Sequence, residues 1–314
     1  MSEHATAVAG QLEIAHGVQR VGVVSLGGGL RSYEVDGRDL LDGFAAGERP
    51  TSGRGQVLAP WPNRIEDGSY EFDGKRMQLP LTEPANGNAI HGLVRAATWN
   101  LVEQEPDRVV LDYVLEPQPG YPFATAFGIE YALSGTGLAV TTTARNLGRE
   151  PCPYGLGQHP YLTLGTPSVD TLRLEVAADT VLLSDERGLP VGSESVAGTE
   201  LDFRAGRTIG PTMLDNAYTG LERAPDGRAR VLLDDQGSGS GLTLWVDESY
   251  SYLMVFTGDP LPDVARRSIA VEPMTCPPNA FRTGESLIRL GPGESTASTW
   301  GIEPRLAGGG LDGR

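Results

Sequence analysis

The chain is poor in several residues on which whole classes of protein depend. Two cysteines, Cys152 and Cys276, stand in 314 residues. They lie far apart, have no CxxC partner and form no disulfide framework. The four histidines, His4, His16, His91 and His159, show no HxxxH or other paired spacing, so no metal is expected. Basic charge is outnumbered, with 25 Lys and Arg against 41 Asp and Glu, a net charge of −16 and a pI near 4.7. An acidic surface repels phosphate backbones and anionic bilayers, which argues against nucleic-acid or membrane partners. Solubility is the simpler meaning of the acidity. No run of roughly 18 apolar residues occurs, so no transmembrane helix is expected. Residues 1–10 have neither a basic segment nor an apolar one, so no signal peptide is expected either. The expectation is a soluble protein of a reducing cytoplasm, monomer or homodimer, with both thiols free.

Helical periodicity is missing too. No segment of a dozen residues repeats convincingly at 3.6, and nothing between strands reads as a crossover helix, which disfavours a parallel α/β sheet. Gly27-Gly28-Gly29 lacks the GxxxxGK[ST] pattern and precedes no helix; it reads as a turn or strand kink. Gly239-Ser240-Gly241 falls short of the GxSxG of a serine nucleophile.

Glycine (42) and proline (23) are plentiful and spread along the chain, as suits many tight turns. Between them lie short β-forming runs: Val21–Ser25, Leu30–Val35, Tyr252–Phe256, Ile269–Glu272 and Thr299–Ile302. Asp73-Gly74 joins Tyr70–Phe72 to Met77–Leu79, and Pro106-Asp107 joins Trp99–Glu105 to Val109–Leu115. Ile129–Leu133 and Leu138–Ala144 form a third hairpin, and Val231–Leu233 with Leu242–Val246 a fourth. Asp-Gly at Asp36, Asp42, Asp67, Asp73 and Asp226 marks further turns. The expected fold is all-β, a large antiparallel β-sandwich in a single domain over residues 1–305, with a flexible Gly-rich tail over 306–314.

Four segments do not read as ordinary sandwich loops. They are Ala59-Pro60-Trp61-Pro62-Asn63-Arg64-Ile65, Gly87-Asn88-Ala89-Ile90-His91-Gly92-Leu93, Gly155-Leu156-Gly157-Gln158-His159-Pro160-Tyr161 and Val271-Glu272-Pro273-Met274-Thr275-Cys276-Pro277-Pro278-Asn279. Each sets an ionisable side chain among apolar, Gly and Pro neighbours. Leu214-Asp215-Asn216-Ala217-Tyr218 is a weaker fifth.

In these segments and in their order the sequence resembles the aldose 1-epimerase (galactose mutarotase) family, over nearly the whole chain from Val21 to Ile302. Each motif is short; the five in order on an all-β chain make the signal specific. The matches over Ala59–Ile65 and Val271–Phe281 are similar to a bacterial subgroup whose natural sugars vary. The resemblance implies a large antiparallel sandwich, a free sugar as substrate and no cofactor.

It also implies roles. Glu272 matches the family's general base; it ends a buried-looking strand, where partial desolvation raises basicity, although a carboxylate there is as readily a surface group. His159 matches the general acid, against the commoner case of a satisfied core histidine. His91 matches a second histidine that hydrogen-bonds the ring oxygen or a nearby hydroxyl, though a histidine before Gly92 also suits a turn. Arg64 and Asp215 match positions that bind sugar hydroxyls, Arg as donor and Asp as acceptor; each could be a plain surface charge, and Asp215 could open an Asx-turn. Trp61, Tyr161, Tyr218 and Phe281 stand beside these residues and could stack on a sugar or simply fill core.

Three other readings compete. A carbohydrate-binding module on this fold would need Arg64 and Asp215 but no acid–base pair. An epimerase for an anionic sugar, a hexose 6-phosphate or 6-sulfo sugar, would need more cations near Arg64, for which Arg95, Arg266 and Arg267 are candidates. A glycoside hydrolase would use Asp215 and Glu272 and leave His159 idle.

Overall fold

The computed structural model describes residues 10–262 and 264–306. The expected N-terminal features before Gly10, and the expected tail past Leu306, lie outside the described residues. The regular secondary structure of the described chain is almost entirely β-strand, and all its strand pairings are antiparallel. No helix of the described residues is long and apolar enough to cross a membrane.

The larger sheet has nine strands. Across it run Asn100–Glu105, Arg108–Leu115, Thr125–Ser134, Gly137–Asn146, Ser295–Arg305, Ser240–Val246, Ala229–Asp235, Arg173–Val176 and Arg207–Thr208. Burial alternates strictly along Thr125–Ser134, so one face meets the core. The second sheet has eight strands, with Asp215–Leu221, Tyr252–Phe256 and Ile269–Met274 side by side near its middle. Leu253, Val255, Ile269 and Val271 of this sheet join Phe127, Tyr131, Val140 and Trp300 of the first in one hydrophobic cluster. The two sheets thus share a core, as a sandwich requires.

Because side chains alternate, the residues between those core positions point to the other face of the eight-stranded sheet. There Leu182, Ala217, Tyr252, Met254 and Met274 form a second, smaller cluster. Glu272 shares this parity. The sheet therefore separates the main core from the face that carries the candidate residues.

The expected hairpins form, including Ser69–Phe72 with Lys75–Gln78 around Asp73-Gly74, both residues at positive φ. One expected turn does not. Asp42-Gly43 is irregular chain, and the Asp42 carboxylate instead accepts from Arg54 (3.1 Å), Arg267 (2.7 Å) and Ser268 (2.8 Å). Those donors compensate a half-buried charge, a stronger demand on the side chain than an Asx-turn. Cys152 and Cys276 are buried free thiols.

Candidate active site

His159-Pro160 interrupts a strand. The two-residue strands Gly157–Gln158 and Tyr161–Leu162 both pair with Ile269–Met274, Gly157 opposite Met274 and Tyr161 opposite Ala270. The register is the same on both sides of the break, which puts His159 across from Glu272. Each of the two is followed by a proline, and proline has no N–H to give a ladder. The sequence thus opens the ladder where these side chains stand, and directly opposed residues share one face. His159 Nε2 lies 3.4 Å from Glu272 Oε1, with the side chains 6 % and 3 % exposed.

The next row of the same face holds Tyr161, Ala270, Phe256 and Asp215, each opposite its neighbour. A carboxylate, an imidazole, a phenol and a second carboxylate therefore reach the face through register alone. Arg64 and His91 arrive separately. Arg64 opens the strand Arg64–Glu66, which pairs with Asn88–Ile90, and His91 follows that partner. Asn63 and His91 both have positive φ, and His91 N–H donates to Asn63 C=O at 2.9 Å. Gly92, at φ +70°, follows with Ala59 C=O where a Cβ would sit, so glycine is a packing requirement there.

All five residues named from sequence, Arg64, His91, His159, Asp215 and Glu272, line one pocket of about 730 Å³. Such a volume accommodates a monosaccharide. The His91 and His159 rings meet edge to face at 5.5 Å. Burial is the main cause holding His91 well below the usual histidine range, with His159, Arg95 and Arg64 adding to it. Burial likewise brings His159 down to about 3, helped by the charges of Arg95 and Arg54. Glu272 moves the other way: burial pushes its carboxyl well above the usual range, Asp215 adds to this, and Arg64 opposes it. Glu272 Oε2 and His159 Nδ1 are buried without a protein partner. Asp215 is exposed along the pocket wall, yet the protein around its carboxyl raises its pKa against the pull of Arg64.

Sequence reading missed what holds these groups. Glu83 grips Arg64 through two bonds, Nε to Oε2 at 2.8 Å and Nη2 to Oε1 at 2.9 Å, and Asn88 donates to Glu83 as well. Nothing in Thr82-Glu83-Pro84 signals this. Of the cations weighed for an anionic sugar, Arg95 lines the pocket, with Gln56 Oε1 at 3.4 Å and no carboxylate partner among the described residues. Arg266 is committed to Asp170 and Asp259, and Arg267 to Asp42. Trp61 and Phe281 pack on each other in the core, and Tyr218 is buried with its hydroxyl on Leu201 C=O. Of the four aromatics singled out, Tyr161 alone lines the pocket. Among the described residues no group of three or more His, Cys, Asp or Glu is disposed to hold a metal ion.

Comparison with known proteins gives the family and the fold. The sequence model of the aldose 1-epimerase family matches residues 10–303. An Escherichia coli protein, named only as uncharacterized protein YihR, is 34% identical over 284 residues, 90% of this chain and 89% of its own. The aldose 1-epimerase of the same organism is 29% identical over 221 residues, 66% of this chain and 61% of its own. The crystal structure of a GalM/aldose epimerase homologue from C. elegans superposes with a TM-score of 0.85 at 21% identity, covering 95% of this chain and 99% of that one. That likeness shows the shared fold.

Proposed function

The chain belongs to the aldose 1-epimerase family, isomerases that act on carbohydrates, and from that premise we propose that it interconverts the α and β anomers of a free aldohexose. Glu272 is the general base and His159 the general acid. The observation that carries this reading is the buried Glu272–His159 pair at 3.4 Å on the wall of a sugar-sized pocket.

Mutarotation moves two protons. Glu272 removes one from the anomeric hydroxyl, and His159 delivers one to the ring oxygen. The C1–ring-oxygen bond breaks and leaves an open-chain aldehyde. Rotation about C1–C2 presents the other carbonyl face, and closure reverses both transfers. No electrons are exchanged and no group leaves. The unpartnered Oε2 of Glu272 suits an acceptor awaiting a hydroxyl. Arg64, His91 and Asp215 hold the sugar through its hydroxyls while C1 turns, within one catalytic unit that we assign to residues 1–305.

The direct test is polarimetry on a freshly dissolved pure anomer of several aldohexoses. Acceleration over the buffer rate supports the reading. Tight binding of the sugars with no acceleration would leave a binding module in its place. Arg64→Ala checks the recognition role. A charged hydrogen bond contributes roughly 1.5–3 kcal/mol, so KM should rise on the order of 10- to 100-fold with a smaller change in kcat. An unchanged kcat/KM for every sugar would remove Arg64 from the site.

One observation favours a second reading, a substrate with an anionic substituent. Arg95 brings a half-buried positive charge to the pocket, and no protein carboxylate answers it among the described residues. Hexose 6-phosphates or 6-sulfo sugars in the same assay distinguish the readings, since Arg95→Ala would then depress kcat/KM for the charged sugar alone.

A further inference from the structure

The Tyr161 ring is already engaged by protein. His159 lies against it nearly parallel, at 10° and a centroid distance of 4.8 Å. The Arg54 guanidinium carbon stands 4.4 Å from the same ring centroid. The Tyr161 hydroxyl donates to Ser52 C=O at 2.9 Å, so the ring is tied at its tip as well. Arg54 is 3 % exposed, a depth at which a guanidinium needs a counter-charge. Asp42 supplies it at 3.1 Å, and Asp42 is itself held by Arg267 and Ser268. Gly53 bounds the His159 ring too: at φ +77°, an added Cβ would fall 2.5 Å from His159 Cδ2.

His159 needs such support. Its Nδ1 has no hydrogen-bond partner in any other residue, so no neighbouring group fixes the ring through that atom, as one does in many catalytic histidines. Its Nε2 faces Glu272 at 3.4 Å, too long to fix the ring firmly. Only packing remains to set the plane of the imidazole.

We propose that Tyr161 and Arg54 are positioning residues, a stacked column anchored on Asp42 that fixes the plane of the His159 imidazole so that Nε2 meets the sugar ring oxygen. This rests on His159 as the acid of the proposed reaction. It also assigns Tyr161 a task other than stacking on the sugar.

The test separates the ring from its hydroxyl and from general stability. Tyr161→Leu removes the stack and should lower kcat on the order of 10- to 100-fold, the cost of a misplaced reacting group. KM should stay within about twofold. Tyr161→Phe keeps the stack, loses the bond to Ser52, and should restore most of kcat. Arg54→Met leaves Asp42 paired with Arg267 and Ser268, and should lower kcat less than Tyr161→Leu does, again without moving KM. An independent readout is the NMR signal of the His159 ring protons in the full chain, identified by its loss in His159→Asn. Stacking on Tyr161 shifts these protons upfield; the shift should vanish in Tyr161→Leu and persist in Tyr161→Phe. The inference is overturned if Tyr161→Leu keeps wild-type kcat, if Tyr161→Phe is as impaired as Tyr161→Leu, or if the ring-proton shift survives in Tyr161→Leu. Failure of Tyr161→Leu to fold leaves the decision to Arg54→Met, where unchanged kcat would count against the column. Should wild-type protein show no mutarotation, the proposed reaction fails while the ring-proton shifts still report on the column.

Discussion

Glu272→Gln is expected to lower kcat for anomer interconversion on the order of 10²- to 10⁴-fold, the usual contribution of a positioned acid–base group. KM should change little, because the amide keeps the shape of the carboxylate and Arg64, His91 and Asp215 still meet the sugar hydroxyls. Glu272 is 3 % exposed, and one of its oxygens has no protein partner. Burial keeps Glu272 mainly protonated, so the amide replaces a neutral carboxyl of the same shape and the variant should melt near the wild-type temperature. Lost activity in a protein no less stable identifies a group kept for chemistry. Near wild-type mutarotation by folded Glu272→Gln would sink the assignment.

His159→Asn should cost a comparable factor and also change the shape of the pH profile. In the wild type, burial depresses His159 to about 3 and raises Glu272 well above the ordinary carboxyl range. Between those limits the pair carries one proton, and one proton is what the cycle requires: an ionised base beside a protonated acid. Below the lower limit a second proton blocks the base; above the upper limit the last proton leaves and no acid remains. kcat/KM should therefore be bell-shaped, with limbs that belong to the pair. The raised Glu272 also means that the proton rests mainly on the carboxyl, so the reactive arrangement is the minor tautomer. In His159→Asn only Glu272 of the pair is left to titrate. The bell should become a single limb that rises with pH as Glu272 ionises. The two losses should not add in the double variant, since neither group alone completes the exchange. A bell of wild-type shape in His159→Asn would point to another acid, and His91, 5.5 Å away between ring centroids, would be the first to examine.

Much of the fold was legible in the sequence. Alternation and Asp-Gly turns gave the hairpins, because half-buried antiparallel strands must alternate and tight turns must tolerate positive φ. No strand was read in the stretch between Arg173 and Leu221. Its strand Pro190–Ser195 is nearly all exposed and made of Pro, Val, Gly, Ser and Glu, so it has no buried face to alternate with. The proposed acid and base stood out as His-Pro and Glu-Pro dipeptides, but their opposition did not, since register between distant strands is a property of the assembled sheet. Glu83 and Arg54 were invisible for the same reason. Each acts on a partner supplied by another segment, Arg64 for one and Tyr161 for the other, and neither carries a local mark.

The anchorage of the pocket also orders events in time. Asp42 and Arg267 are 225 positions apart, and Asn279 bonds to Glu66 across 213. Closing loops of that length costs entropy before any contact returns it, so these links belong to the late, slow part of folding. During synthesis His159 leaves the ribosome well before Glu272 does, so the pairing of their strands must wait for the later segment. The proposed acid and base therefore meet only after Glu272 has been made, and recovered activity should track the closing of this long-range pairing.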